Sequence, residues 1–348
     1  MQTVTITDVA RHAGVSKSTV SQFLNKRYDY MGTKTKEKIE EAIEELGYQP
    51  NIVARSLKQK STTTIGVIVA NIMHEFSTQV IRSIEDFCHE MDFHIIVCNA
   101  DDEPEKEKKY INMLRAKQID GIIIFPTGDN VDLYESMIDE NYPIVFMDRH
   151  VPEIAISSIM LDNEKASSLA IDEFVRNGYE RIGIVTTSTI KNVTPRIERI
   201  NGYKKALEAH GFPVMNDYIK SAEIHDIQSE LQEMLSLENP PEAILAGNDL
   251  ALIEILKSTK KSQKRIPEDL ALIGIDDVSF ADIYHPSITT IAQPTFGMGK
   301  QAAEFLLDKI TNKSSEEKEA NIERFSPKLI ARESSKALKT LHPEMKGE

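Results

Sequence analysis

Past residue 63, short runs of apolar residues alternate with longer stretches in which apolar residues recur every third or fourth position. The short runs are typical of strands buried in a parallel sheet, and the longer stretches are typical of amphipathic helices. The predicted strands are residues 65–70, 94–98, 121–125, 144–147, 182–185, 243–246, 270–275 and 329–331. The predicted helices are residues 78–91, 104–117, 164–177, 197–210, 226–236 and 249–259. This alternation indicates an α/β fold whose parallel sheets carry helices on both faces.

The number of strand–helix units exceeds what a single sheet holds comfortably, so we expect two lobes. Residues 161–163 are a candidate first crossing between the lobes, because a new helix follows them at once.

The first 60 residues follow a different pattern, with short helices rather than strands. Thr5, followed three residues later by Asp8, is a helix-capping signal. Gly14 suits the tight turn that ends this helix, and Ser16 can cap a second one. A third helix is predicted over residues 33–46. Two short helices joined by such a turn form a helix-turn-helix, whose second helix enters the major groove of DNA.

Polar residues at the start of the second helix are the candidate base readers, while apolar ones such as Val20 form a small core behind them. Most short helical hairpins bind nothing, so the hairpin alone leaves DNA binding open. The candidate DNA-binding residues in this head are Thr5, Ser16, Lys17, Ser18, Thr19, Ser21, Gln22 and Asn25.

The charge distribution favours a small DNA-binding head on an acidic body. The chain has 41 Lys and Arg against 55 Asp and Glu, a net charge of −14. Residues 1–60 contain 10 basic and 7 acidic residues, so the excess of negative charge lies entirely in the remainder. An acidic body repels phosphate, and we therefore expect DNA contacts to be confined to residues 1–60.

Several motifs make the chain resemble the LacI-type (lactose-repressor/purine-repressor) family of bacterial transcription regulators. They are residues 5–10, 13–21, 24–25, 46–57, 64–69, 276–277 and 289–294, and the similarity continues to about residue 335. The resemblance implies a homodimer that binds palindromic double-stranded operator DNA and a small-molecule effector. It also implies a body of two periplasmic-binding-protein-like lobes joined by three crossings, the later ones near residues 292–294 and 320–325.

The resemblance further implies that residues 50–60 are a hinge helix that pairs across the dimer. In this family the hinge places a Leu, here Leu57, as a wedge in the minor groove. The hinge residues expected to contact DNA are Asn51, Ala54, Arg55, Leu57 and Lys60. One departure is Gln22, where the family usually has Arg; Gln favours adenine and Arg favours guanine, so the operator sequence is expected to differ.

These considerations divide the chain into five segments. They are a head at 1–49, a hinge helix and linker at 50–63, an N-terminal lobe at 64–161 with 293–322, a C-terminal lobe at 162–292 with 323–335, and a polar tail at 336–348. The tail lacks the apolar repeat of a coiled coil, so we expect a dimer rather than a zipper-linked tetramer.

Ligands of open α/β sheets bind beyond the carboxyl ends of the strands, which directs attention to the residues that follow each strand. These positions supply an aromatic ring, carboxylates, guanidinium groups and amides, a mixture that suits a sugar. The candidate effector-binding residues are Phe76, Asp148, Arg149, Arg196, Arg199, Asn248, Asp276 and Gln293. The resemblance implies this role most directly for Arg199 and Asp276.

The three arginines favour a sugar acid, which agrees with a similarity to Gram-positive repressors of 2-keto-3-deoxygluconate use. Each polar residue has a simpler alternative, because a residue after a strand is often a helix cap and Arg196 or Arg199 could pair with a surface acid such as Glu198.

No catalytic motif is complete in the sequence. Residues 297–300 lack a third glycine, His74-Glu75 lacks the second His of a zinc-protease helix, and the nine His are scattered. We therefore expect neither enzymatic activity nor a cofactor or metal. Cys88 and Cys98 are expected to be reduced core residues.

The sequence has no apolar run near 18 residues and no signal-peptide pattern, so a cytoplasmic protein is expected. Two alternatives to an effector-controlled repressor remain at this point. One is a catabolite-control-type regulator signalled by a protein partner, and the other is a solute-binding protein.

Overall fold

The computed structural model describes residues 4–29, 31–49, 61–189, 193–312 and 320–336. Contacts divide the chain into two compact units, residues 1–62 and 63–348. The hinge prediction for residues 50–60, with its five candidate DNA contacts, lies outside the described residues, as do residues 337–348 of the predicted tail.

The first unit contains the three predicted helices: α1 Ile6–Ala13, α2 Lys17–Leu24 and α3 Thr33–Leu46. The capping signal at the start of α1 is present, since the backbone N–H and the hydroxyl of Thr5 both donate to the Asp8 carboxylate. Gly14 ends α1 at a φ of 65°, a conformation that favours glycine. The core behind these helices consists of Val9, Ala10, Ala13, Val20, Ile39, Ala42 and Tyr48.

The second unit contains two six-stranded sheets. The N-terminal lobe has the strand order β11-β5-β4-β3-β1-β2, and all its strand pairs are parallel. Its strands are β1 Thr64–Val69, β2 His94–Asn99, β3 Gly121–Ile124, β4 Ile144–Met147, β5 Ser158–Leu161 and β11 Ile322–Phe325. Its helices are α4 Glu75–Glu90, α5 Pro104–Ala116, α6 Val131–Asp139 and α11 Thr295–Thr311.

The C-terminal lobe has the strand order β12-β10-β9-β8-β6-β7, and only its edge strand β12 is antiparallel to its neighbour. Its strands are β6 Ile182–Thr187, β7 Ile219–Ala222, β8 Ala243–Ala246, β9 Ala271–Ile275, β10 Thr289–Ala292 and β12 Lys328–Ile330. Its helices are α7 Asn163–Arg176, α8 Thr194–Ala209, α9 Ile227–Leu235 and α10 Asp249–Lys261. The predicted architecture of two lobes with mainly parallel sheets is confirmed.

The chain crosses between the sheets three times: after β5, after β10 and after β11. The third crossing, after Phe325, lies at the end of the predicted range of residues 320–325. The predicted division of the chain into segments is less accurate there. It placed a lobe boundary between residues 322 and 323, but β11 spans Ile322–Phe325 and pairs with β5 along its whole length. The N-terminal lobe therefore keeps the strand through Phe325, because its backbone groups are bonded to the sheet of that lobe.

Among the described residues, no helix combines the length and the apolar character needed to span a membrane.

Candidate functional site

A cleft between the two lobes brings all eight predicted effector-binding residues together. It encloses about 450 Å³ of space, part of which is open to solvent. Its walls follow the carboxyl ends of strands in both sheets, as parallel α/β folds predict. The lining residues that were not among the candidate effector-binding residues are Ala70, Asn71, His74, Ser77, Phe125, Val193 and Pro195.

Arg199 is held rigidly on α8 in the C-terminal lobe. It is 4% exposed, and its Nε donates to Asn163 Oδ1 at 2.9 Å while Nη1 donates to the Gly247 carbonyl at 2.7 Å. Three residues further along α8, Gly202 packs so closely on α7 that a Cβ would lie 2.6 Å from the backbone of Glu164. This close approach requires glycine and sets the position of Arg199 against the cleft.

Arg149 and Arg196 face each other from opposite lobes, with Asp102 between them. Asp102 Oδ1 lies 2.7 Å from Arg149 Nη2, and Asp102 Oδ2 lies 3.7 Å from Arg196 Nη2. Burial and the neighbouring positive charge of Arg149 lower the pKa of Arg196 to about 10. Asp102 was not among the candidate effector-binding residues, although it follows β2 at a position where residues are expected to line the cleft.

Asp148 and Asp276 have positive φ angles of 67° and 85°, which a non-glycine residue seldom adopts. Such backbone conformations cluster at functional sites, where the surrounding structure enforces them. Burial raises the pKa of Asp148, although Arg149 and Arg199 oppose the change. Burial and the charge of Asp249 raise the pKa of Asp276 to about 6. Both carboxyls therefore bind a proton more tightly than usual.

Asn248 caps helix α10, which was the simpler alternative for this residue. Its Oδ1 accepts from the Ala251 N–H at 2.8 Å, and its Nδ2 donates to Thr187 Oγ1 at 2.8 Å. It also lines the cleft, so its contact with a ligand stays a prediction.

Arg196 and Arg199 do not pair with Glu198, the surface acid considered as their alternative partner. The Glu198 carboxylate instead accepts from Arg324 at 2.6 and 3.0 Å and from Asn163 at 2.9 Å. The two arginines lie 12% and 4% exposed in the cleft wall.

The rest of the cleft combines an apolar wall with polar atoms that have no hydrogen bond. Phe76 is 7% exposed and packs edge to face on Phe125, with ring centroids 6.3 Å apart. Gln293 Nε2 donates to Asp276 Oδ1 at 2.5 Å. Within the described part of the chain, Gln293 Oε1 and Arg149 Nε are buried without a hydrogen-bond partner. Buried polar atoms are normally satisfied, so these two atoms are suited to contact a ligand.

A second candidate surface lies on α2 in the head. Lys17, Ser18 and Gln22 are exposed there, and Ser21 is half-buried. Ser16 and Thr19 are engaged in the local structure, since the Ser16 hydroxyl accepts from the Thr19 N–H at 3.1 Å and lies 2.8 Å from its hydroxyl.

Asn25 ends the same helix and is likewise engaged locally, because its Nδ2 donates to the Ser21 carbonyl at 2.7 Å. The candidate DNA surface therefore divides into residues that stabilise α2 and residues whose side chains are available to bases.

Two family models match the chain. The model described as "Bacterial regulatory proteins, lacI family" matches residues 5–51, and the model described as "Periplasmic binding protein-like domain" matches residues 171–335.

Curated relatives extend over most of the chain. The probable HTH-type transcriptional regulator EndR of Paenibacillus polymyxa is 48% identical over 332 residues, which cover 95% of this chain and 98% of the relative. The HTH-type transcriptional regulator KdgR of Bacillus subtilis (strain 168) is 33% identical over 315 residues, which cover 88% and 91%.

Solved structures share the fold. The lac repressor dimer bound to operator and the anti-inducer ONPF has a TM-score of 0.83 at 24% identity, covering 97% of this chain and 100% of that one. The complex of the transcriptional regulator CelR with cellobiose has a TM-score of 0.71 at 25% identity, covering 95% and 99%.

Proposed function

Because this chain belongs to the lacI family of bacterial regulatory proteins, whose members are DNA-binding transcription regulators, we propose that it is a dimeric repressor controlled by a polyhydroxylated effector in the interlobe cleft. The observation that carries this proposal is the convergence of eight predicted side chains from both lobes on one cavity. A ligand that touches both lobes can favour one angle between them, and this gives it a means to act on DNA binding.

The head supports the DNA-binding part of the proposal. Its second helix exposes Lys17, Ser18 and Gln22 on one surface, and within the described residues neither Lys17 nor Gln22 makes a side-chain hydrogen bond. Long polar side chains that are free in this way suit contacts with phosphates and base edges. One helix-turn-helix reads only a half-site, so a palindromic operator requires two copies of the chain.

The cleft supports the effector part of the proposal. Carboxylate, amide and guanidinium groups lie beside the phenyl wall of Phe76, and sugars need both kinds of surface. Among the relatives, CelR binds cellobiose in its complex, which is a sugar of this kind.

Selection from random double-stranded DNA with the purified protein tests the head. We expect a palindromic motif, and Gln22→Arg should replace adenine by guanine at one position of each half-site, because the two side chains pair with different bases. The same motif from both proteins would remove Gln22 from the base-reading set, and no shared motif at all would contradict sequence-specific binding.

A thermal-shift screen of sugars, sugar acids, sugar phosphates, nucleosides and purines tests the cleft. Arg199→Ala and Asp276→Ala should each abolish the response to the compound found while operator affinity stays within a few-fold of the wild type. Arg176→Ala, which removes an arginine exposed on α7, is the control and should change neither property. A normal response in Arg199→Ala would exclude that residue from the site.

A further inference from the structure

The arginines of the cleft are already engaged by groups of the protein itself. Asp102 forms an ion pair with Arg149 at 2.7 Å and lies 3.7 Å from Arg196. Arg196 Nη1 also donates to the Ser188 carbonyl at 2.6 Å. The side chains of the three charged residues are only 7–22% exposed, so water screens their interaction weakly.

Asp102 remains ionised in this position. Burial raises its pKa, but the charges of Arg149, Arg196 and His74 and the hydrogen bond from Arg149 together lower it more, so the net direction is downward. The carboxylate therefore supplies a full negative charge where two guanidinium groups meet, and it joins one arginine from each lobe.

The polar groups of the cleft that have no hydrogen-bond partner favour a ligand that donates hydrogen bonds. In the described structure the Asp148 carboxylate accepts no hydrogen bond, and its nearest cation is Arg149 Nε at 3.9 Å. Gln293 Oε1 is a buried acceptor without a partner, and Arg149 Nε is a buried donor without one. A ligand hydroxyl group can donate to Gln293 Oε1 and accept from Arg149 Nε, whereas a ligand carboxylate can only accept.

We propose that Asp102 is a specificity-determining residue, which neutralises Arg149 and Arg196 so that the cleft accepts uncharged sugars and rejects the corresponding sugar acids. The inference rests on the proposed effector function and names the charge class of its ligand. It reverses the expectation that the sequence raises, in which three arginines favour a sugar acid. A protein carboxylate that compensates the charge of an arginine weakens the attraction of that arginine for a ligand carboxylate.

The test uses the full-length protein and pairs of probes that differ only in a CH₂OH or a carboxylate group: glucose with glucuronate, and galactose with galacturonate. Inorganic phosphate is a third, sugar-independent probe of free arginines. Binding is measured by isothermal titration at constant ionic strength. The wild type should show no saturable binding of glucuronate, galacturonate or phosphate.

Asp102→Asn should gain saturable binding of at least one of these anions, at least about tenfold tighter than the wild type, because the carboxylate that lies between the two guanidinium groups is then removed. Asn tolerates the φ of 55° at this position, so the backbone can remain as it is. Adding Arg196→Gln to Asp102→Asn should remove the gained site.

The matched control is Asp101→Asn. Asp101 is exposed, has a φ of 54° and pairs with Lys106, so the substitution changes the same charge one residue away and should gain no anion site.

Absence of an anion site in a folded Asp102→Asn protein would overturn the proposal. So would saturable anion binding by the wild type that Arg196→Gln abolishes, a result that needs no Asp102 variant to fold. Operator binding by the wild type is scored separately, and its loss would contradict the proposed function rather than the role of Asp102.

Discussion

Asp148 and Asp276 line the cleft directly after strands β4 and β9. Both residues have left-handed backbone conformations, and their carboxyl groups are almost buried. Neither arrangement is favourable for an aspartate in isolation. The backbone strain and the desolvation are each worth about 1–3 kcal/mol, and the rest of the fold has to offset them. This cost is understandable if a ligand uses these oxygens, because a buried carboxylate is a strong acceptor once a donor reaches it.

Asp276 should make the stability of the body depend on pH. Its folded-state pKa of about 6 lies above its ordinary value of 3.8, so the folded chain binds this proton more tightly than the unfolded chain. The free energy of unfolding should therefore fall as the pH rises from about 4 to about 6, by at most about 3 kcal/mol. Asp148 acts in the same direction, whereas Asp249, whose pKa is lowered, acts below about pH 4.

Urea unfolding of the wild type and Asp276→Asn between pH 4 and pH 7 measures this effect. The variant should lack most of the loss of stability over that interval. Parallel pH profiles for the two proteins would show that Asp276 titrates normally in the folded state.

Ser16 and Lys17, which are neighbours in the head, should have separable roles. Ser16→Ala removes the acceptor for the Thr19 N–H and should lower the stability of α2 by about 1 kcal/mol. Lys17→Ala should leave that stability unchanged and reduce the salt dependence of DNA binding by roughly one phosphate contact. Amide exchange of residues 17–24 in the full-length protein and DNA titrations at several salt concentrations measure the two effects. Ser16→Thr keeps the hydroxyl and should retain the stability of α2. A loss of that stability in Ser16→Thr would contradict the role of Ser16 as the helix cap.

At the scale of elements, the N-termini of α4 and α10 meet across the cleft and share one carboxylate. Asp249 Oδ1 lies 2.5 Å from His74 Nδ1, and Asp249 Oδ2 accepts from the Glu75 N–H at 2.8 Å. The Glu75 carboxylate in turn accepts from the Ser279 N–H at 3.0 Å. Negative charge at a helix N-terminus is favourable, and here Asp249 serves two helices from different lobes. These contacts of the Asp249 carboxylate are structural ones.

A double-mutant cycle with His74→Ala and Asp249→Asn should give a coupling energy of about 1–3 kcal/mol in urea unfolding, because the two side chains are 15% and 3% exposed. The control cycle uses His210→Ala and Asp172→Asn, a His–Asp pair at 2.7 Å that lies on the surface of one lobe. It should give less than about 1 kcal/mol. Equal couplings in the two cycles would mean that burial between the lobes adds nothing to the first pair.

At the scale of the whole molecule, the two lobes of the body are joined by the three crossings. Arg324 on β11 donates to the Glu198 carboxylate on α8 at 2.6 and 3.0 Å, and thus joins the lobes beside one crossing. Residues of both lobes line the cleft, so a ligand that contacts both lobes can change the angle between them. A coupling of a few kcal/mol between effector and operator is the usual size for linked sites.

We expect residues 50–60, which lie outside the described part of the chain, to be helical only when two copies pair on operator DNA. An isolated helix of fewer than about 12 residues is marginal in water, so a small change in lobe spacing should melt it. Hydrogen exchange on these residues should show protection on operator DNA that an inducer removes and a corepressor strengthens. Protection already present in the free protein, and unchanged by ligands, would exclude this mechanism.

Within the same segment, Leu57→Ala should weaken operator binding more than binding to random DNA.

The sequence by itself determined the features that depend on residues close together in the chain, namely secondary structure, helix caps and the ends of strands. The periodic patterns predicted the two-lobed α/β body, and the caps at Thr5 and Ser16 predicted the helices of the head. The rule that ligands lie beyond strand ends predicted Asp148 and Asp276. Strands β5, β7, β10 and β11 were missing from this prediction, because polar residues shorten or interrupt their apolar runs.

Only the tertiary structure decided which of these groups meet. His74 and Asp249 are 175 residues apart, and Asp102 reaches Arg196 across two lobes. The partner of a charged side chain depends on how the lobes are placed, and no local pattern encodes that placement. The sequence predicted correctly that three arginines line one cavity, and their contact with a ligand stays a prediction. The ion pairs that Asp102 forms with two of them became visible only in the folded chain.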